Sequence, residues 1–191
     1  GPHILRRLGQ HAELLRGPHQ LPDRLRAAPA LLLAAVGFPI DAAAVLLIEI
    51  EGRTDEQSLL APRLLEICRS SGAREVQEAA DELQRAALWK GRKQALGALG
   101  KLAPAYYTHD GVVPRSKLPQ ALEAIAEIGA RHRLRVANVC HAGDGNLHPL
   151  LLFDPDDHDE VGRVKAAGAE ILALCVVLGG ALTGEHGIGL E

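Results

Sequence analysis

The sequence predicts an α+β fold, an antiparallel sheet with helices packed on one face, built from ferredoxin-like β-α-β units. Three observations carry that prediction. Short β-branched apolar runs alternate with longer stretches of helical periodicity. Two of the short runs, Leu134 to Cys140 and Leu147 to Phe153, are separated only by a turn, which marks a hairpin and so antiparallel pairing. At 191 residues and 47% apolar content, the chain can bury a sizeable core.

The elements follow in chain order. Residues 1 to about 30 are rich in Arg, Pro and Gly, with weak apolar spacing at Ile4, Leu5, Leu8, Leu14 and Leu15. They read as an amphipathic helix and a linker. A short helix from Ala28 to Val36 ends at Gly37-Phe38-Pro39, where Gly and Pro stop it. Residues 1–40 are therefore expected to be a linker or helical segment ahead of a domain over 41–191.

From Ala44 the text A-V-L-L-I-E-I-E is short and apolar and ends at Gly52, as a buried strand does. Thr54-Asp55, followed by Glu56 and Gln57, opens a helix that runs to about Ser70 and stops at Ser71-Gly72. Arg74 to Glu78 is expected to be a short strand. Ala79 to about Leu102 has helical spacing, and Tyr106 to Val113 reads as a strand around Asp110-Gly111, ended by Pro114. Asp110 is expected to serve a turn. Ser116 to Ala130 is a helix with Leu118, Leu122, Ile125 and Ile128 on one face. A last helix, Asp159 to about Leu178, stops at Gly179-Gly180.

Charge and composition exclude several classes. A formal charge of -3 without a basic cluster is wrong for a nucleic-acid surface. The longest apolar runs, Ala27 to Ile40 and Ile171 to Leu182, are broken by Gly or Pro and fall short of the ~20 residues of a membrane span. Cys68, Cys140 and Cys175 are an odd set at wide spacing, which favours reduced thiols in an intracellular compartment. There is no methionine, even at position 1, and Gly1-Pro2-His3 reads as a cleavage scar, so the chain is expected to be a piece of a longer protein.

The segment C-H-A-G-D-G-N-L-H-P, from Cys140 to Pro149, carries the first chemical signal. Asp-Gly between apolar strands favours a two-residue type I′ turn. With Asp144-Gly145 at the turn, His141 pairs with His148, Cβ atoms ~5 Å apart on one face of the sheet. Cys140, one step along, points to the other face as core. Two imidazoles so placed could converge on one ion; two surface histidines beside a tight turn are the plainer alternative.

T-G-E-H-G-I-G, just past the last helix, adds Glu185 and His186 among three glycines. Glu185 would complete a set of two histidines and one carboxylate, which suits a catalytic divalent ion such as Zn, Mn or Fe. His186 would then be free to act as a general base near neutral pH. A glycine stop with two polar passengers is the plainer reading. Trp89 and Arg92 share a helix face at i and i+3, where Arg92 could pair bidentately with a substrate carboxylate or simply lie over the indole.

Taken together, L-W-K-G-R-K, D-G-V-V-P-R-S-K-L-P, N-V-C-H-A-G-D-G-N-L-H-P and T-G-E-H-G-I-G resemble, in this order, the FAD-linked 2-hydroxyacid oxidase/dehydrogenase family. That family includes the glycolate oxidase flavoprotein subunit, whose wording is nearest, and the D-lactate and D-2-hydroxyglutarate dehydrogenases. The resemblance runs from about Ala43 to the end and implies the C-terminal substrate, or cap, domain, with FAD held mainly by an N-terminal domain of the same protein that nothing here resembles. It implies His141, His148 and Glu185 as metal ligands, His186 as base and Arg92 as the substrate-carboxylate arginine. It further implies a bacterial enzyme that oxidises a small 2-hydroxy acid, glycolate or D-lactate in type, to the 2-oxo acid with FAD as hydride acceptor. The isolated piece is expected to be inactive. An iron–sulfur electron-transfer subunit is a further candidate partner, and a cytoplasmic location, or one peripheral to the inner membrane, is expected. The competing class is a non-catalytic metal-binding or interaction module that keeps the cap fold.

Overall fold

The computed structural model describes residues 12–16, 42, 44–99 and 102–188. Its six strands are β1 (Ala12–Arg16), β2 (Ala44–Ile48), β3 (Ala105–Thr108), β4 (Gly111–Val112), β5 (Arg135–His141) and β6 (Asn146–Phe153). Its helices are α1 (Thr54–Ser70), α2 (Glu82–Leu99), α3 (Leu118–Arg131) and α4 (His158–Val177), with a 3-10 turn at Arg115–Lys117. The strands form one sheet in the order β2-β1-β5-β6-β3, with β4 also paired to β6. Every pairing is antiparallel. Because β6 lies antiparallel between β3 and β5, the passage β3–α3–β5 is a split β-α-β unit. The expected α+β architecture is present.

Strands β5 and β6 sit at the centre and are covered on both faces. One face, carrying Cys140, Leu147 and Leu151, packs against Leu122, Ile125 and Ile128 of α3 and Val164, Ala167 and Ile171 of α4. The α3 residues are the stripe that the sequence periodicity marks, and all of them are buried. Complete burial of one such Leu or Ile contributes roughly 1.5–3 kcal/mol. The other face holds a smaller apolar cluster, in which Leu99 and Ala103 cover Val139, Leu150 and Leu152. This second cluster covers only part of its face, and the polar side chains of the hairpin end occupy the rest.

Local signals explain the helix ends. The Asp157 carboxylate accepts from the amides of Asp159 and Glu160, so α4 starts one residue earlier than expected. Asp81 accepts from the Gln84 amide at 2.8 Å at the start of α2. Glu170 clasps α4 to the end of α3, 2.6 Å from Arg131 and 2.7 Å from His132.

Four expectations need correction. Residues 12–16, expected in a helix or linker, form β1 between β2 and β5; the register pairs Leu14 with both Leu46 and Cys140, and sheet pairing overrides the weak helical spacing. The expected helix over 28–36 lies outside the described residues. Residues 74–78 form no strand, and all of them except Val76 are exposed. The single strand expected over 106–113 is two, β3 and β4, interrupted at His109-Asp110, and both pair with β6.

The fourth correction concerns the hairpin. His141 pairs with Asn146, Cys140 with Leu147 and Val139 with His148. The loop therefore has four residues, with the His141 carbonyl accepting from the amides of Asp144 at 3.0 Å and Gly145 at 2.9 Å. Gly145 alone in the loop has positive φ, at 79°. A type I′ turn needs positive φ at both central residues, which Asp144 does not adopt.

Candidate functional site

The register differs from the expected one by two residues, and two is the side-chain period of a strand. Parity is thus kept. His141, Asn146 and His148 all share the face opposite α3 and α4, while Cys140 is fully buried in the main core as expected. His141 and His148 are diagonal neighbours with ring centroids 5.2 Å apart and planes at 88°.

The chain after α4 supplies the other half of the site. Gly179, at φ 85°, lets it turn sharply back. It then runs along β4, with Val112 and Ala181 exchanging two backbone hydrogen bonds of 3.0 Å. A Cβ at Gly180 would collide with the Val112 carbonyl, so only glycine permits this approach. The segment next crosses the hairpin, where a Cβ on Gly184 would meet the Asn146 amide within 2.7–2.9 Å. Glu185 and His186 thereby arrive beside the two hairpin histidines.

There the Nε2 atoms of three imidazoles gather around one carboxylate oxygen. Glu185 Oε1 lies 3.2 Å from His148 Nε2, 3.4 Å from His141 Nε2 and 3.6 Å from His186 Nε2. The His186 ring stacks on that of His148, 5.2 Å between centroids and 14° between planes. Ligands held at ~2.0–2.1 Å from one tetrahedral ion sit about 3.3 Å from one another, close to each of these three separations from Glu185 Oε1. His148 is buried, whereas the side chains of Glu185 and His186 are about half exposed, at 51% and 55%. The cluster is therefore closed on the sheet side and open on the other.

Burial, and then the neighbouring His141, push the His148 pKa below the ordinary histidine value. His148 is accordingly neutral near pH 7, the form a metal ligand requires.

Asp110 belongs to this site, and the expectation that it only serves a turn is incomplete. Its Oδ2 accepts four hydrogen bonds, from Thr183 Oγ1 at 2.9 Å and from the amides of Gly184 at 2.9 Å, Glu185 at 2.7 Å and His186 at 2.7 Å. Its Oδ1 lies 3.7 Å from His148 Nδ1, and both atoms are buried without a hydrogen-bond partner. Burial raises the carboxyl pKa, but the bonds from His186, Glu185, Thr183 and Gly184 outweigh it and hold the group well below the usual carboxylate range. Asp110, His148, Glu185 and His186 offer donor atoms within 4.8 Å of one another. Sequence reasoning missed Asp110 because its partners lie 73 to 76 residues away.

The structure brings His141, His148, Glu185 and His186 together. Arg92 is on a different element, half-buried on α2. The same helix, with Glu49, borders an open cavity of about 520 Å³ lined by Arg85, Ala86, Trp89, Lys90 and Lys93. None of the clustered His or Glu side chains lines that cavity. Cys68, Cys140 and Cys175 are all thiols. Among the described residues no helix is long and apolar enough to cross a membrane.

Known proteins resemble most of this chain. Residues 21–191 match the family described as FAD linked oxidases, C-terminal domain. The chain is 43% identical over 178 residues to glycolate oxidase subunit GlcD of Escherichia coli (strain K12), covering 93% of this chain and 36% of that protein. Glycolate oxidase subunit GlcD of Bacillus subtilis (strain 168) is 40% identical over 165 residues, 84% of this chain and 35% of that one. A probable mitochondrial D-lactate dehydrogenase of Danio rerio is 38% identical over 127 residues, 65% and 26% of the two chains. The chain thus spans about a third of the length of the two curated glycolate oxidase subunits. Since the family match covers nearly the whole sequence, this chain belongs to the FAD linked oxidases, as their C-terminal domain.

Proposed function

We propose that this chain is the substrate-binding cap of a flavin-dependent oxidoreductase that oxidises a small 2-hydroxy acid, of glycolate or D-lactate type, to the 2-oxo acid. The observation that carries the reading is the gathering of three imidazole Nε2 atoms around Glu185 Oε1 on the open face of a domain of this family. His141, His148 and Glu185 would hold a divalent ion, Zn, Mn or Fe. With both groups bound, the ion would supply Lewis-acid chemistry at the substrate hydroxyl, and FAD, carried mainly by a separate domain, would serve as hydride acceptor.

The residues of this chain then do the following. His186 is half-exposed and stacked on a buried His148, so its ring is held in position while facing the open side, where it takes the hydroxyl proton at Nε2. Arg92 binds the substrate carboxylate through its fork of N–H donors. The FAD domain and, as a second partner, an iron–sulfur electron-transfer subunit belong to the same reading, as do a bacterial source and a cytoplasmic or membrane-peripheral location. The isolated chain is inactive in this reading, for want of a hydride acceptor.

The test is the visible spectrum of the whole flavoprotein during anaerobic addition of glycolate, D-lactate and D-2-hydroxyglutarate. Bleaching of the flavin band by glycolate or D-lactate supports the proposal. A flavin band that none of the three bleaches removes the substrate class, and absence of a flavin band returns the chain to a metal-binding module. In the same protein, His186→Ala should lose turnover while retaining its metal.

A further inference from the structure

We infer that Asp110 is the positioning residue of this site, its two carboxylate oxygens tying the Thr183–His186 loop to the sheet and fixing which nitrogen of His148 faces the ion. The inference rests on the proposed metal role of His148 and Glu185 and extends it to a residue outside the ligand set.

Two separate geometries support it. Oδ2 gathers the Thr183 hydroxyl and three consecutive amides, so the segment that carries Glu185 and His186 is wrapped around one oxygen. The Gly184 amide also reaches the Asp110 backbone carbonyl at 2.7 Å, which anchors the loop to the same residue twice. Four donors converging on an ionised oxygen are charge-assisted bonds, each roughly twice as strong as a neutral one. Asp110 itself is fixed because it sits at the break between β3 and β4, both paired to β6, the strand that bears His148.

Oδ1 meets the other side of His148. The two ring nitrogens of an imidazole point away from each other, and Nε2 faces Glu185 at 3.2 Å. Asp110 Oδ1 lies 3.7 Å from Nδ1, so it meets the nitrogen that does not face Glu185. It stands where a carboxylate keeps the proton on Nδ1 and the lone pair on Nε2, the arrangement that orients a metal-binding histidine. Both Oδ1 and Nδ1 are buried, where a polar atom left unpaired is costly. The backbone of His109 also favours a proton on this ring and is the competing holder of its tautomer.

The experiment compares wild type, Asp110→Asn and Asp110→Ala by imidazole ¹⁵N spectra without metal, by amide exchange at Gly184, Glu185 and His186, and by chelator-competition affinity for Zn²⁺ and Co²⁺. Asn can leave its oxygen under the loop while turning its amide N–H₂ toward Nδ1. The expected result for Asp110→Asn is therefore protected loop amides, loss of the Nδ1–H tautomer and about 10–100-fold weaker metal binding. The Co²⁺ band shape should be unchanged. Asp110→Ala should also lose protection at the three amides; if it does not fold, the Asn variant decides alone. An unchanged tautomer and affinity in Asp110→Asn overturns the inference and assigns the ring to the His109 backbone. An altered Co²⁺ band overturns it in favour of direct ligation. If wild type takes up no divalent ion, the proposed function loses its metal, and the tautomer and exchange data still decide the role of Asp110.

Discussion

His141 and His148 stand with ring centroids 5.2 Å apart although neither is the other's cross-strand partner. They meet diagonally across a four-residue loop, both within 3.4 Å of the same oxygen of Glu185. One pairing step would carry the histidine of one strand to the opposite face, whereas the two-step difference from a tight turn leaves it in place. Replacement of either histidine by Ala should abolish stoichiometric binding of a divalent ion. The loss, read by chelator competition, should exceed the roughly 10–100-fold cost of an outer-shell partner. Retention of tight binding in His141→Ala would remove that residue from the ligand set.

Gly145 should be irreplaceable in the hairpin loop. It has φ of 79°, and a Cβ there would run into the Val113 carbonyl, whose residue's amide donates to Gly145 O at 2.9 Å. Gly145→Ala is expected to lower unfolding free energy by more than about 1 kcal/mol in urea denaturation. A midpoint equal to wild type would show that the loop can relax.

Two glycines of α4 should respond to Ala with opposite signs. Nothing lies within 4 Å of a Cβ on Gly162, so Gly162→Ala should stabilise by about 0.8–1 kcal/mol through helix propensity. A Cβ on Gly168 would instead meet the His109 ring, which is buried and packed edge-on against Tyr107. Gly168→Ala should destabilise by about 1–3 kcal/mol, as overpacking does. Thermal melts of the pair check both at once, and equal shifts would contradict the close approach of α4 to His109.

Stability should fall at alkaline pH because of Cys175. Burial in the core pushes its thiol up to about 11, above the ordinary value of ~8.5. A raised folded pKa means that the stabilising contribution is complete below the unfolded pKa and is lost as pH rises toward the folded one. Between about pH 9 and 11 this group should remove up to roughly 1.4 kcal/mol per unit. The pH slope of unfolding free energy in that window should be shallower in Cys175→Ala; identical slopes would assign the alkaline loss elsewhere.

Much of this was legible in the chain. The α3 stripe, the span of α1, the two central strands and the inward Cys140 all follow from local periodicity, where each residue's environment repeats over neighbours in sequence. His141, His148, Glu185 and His186 could be nominated because glycines and titratable groups crowd two short segments. The strand at 12–16 was not legible, since its stability comes from partners at 44–48 and 138–141.

The sequence by itself therefore determined α1, α3 and α4, the two central strands, the helix-facing core and the candidate donors, because these depend on side-chain periodicity and on turn residues acting locally. Only the tertiary structure decided the hairpin register and the convergence of three imidazoles on Glu185. It alone drew Asp110 beneath a loop more than 70 residues away. Those outcomes depend on which backbone amides find which acceptors across the fold, and a one-dimensional pattern does not carry that distance information.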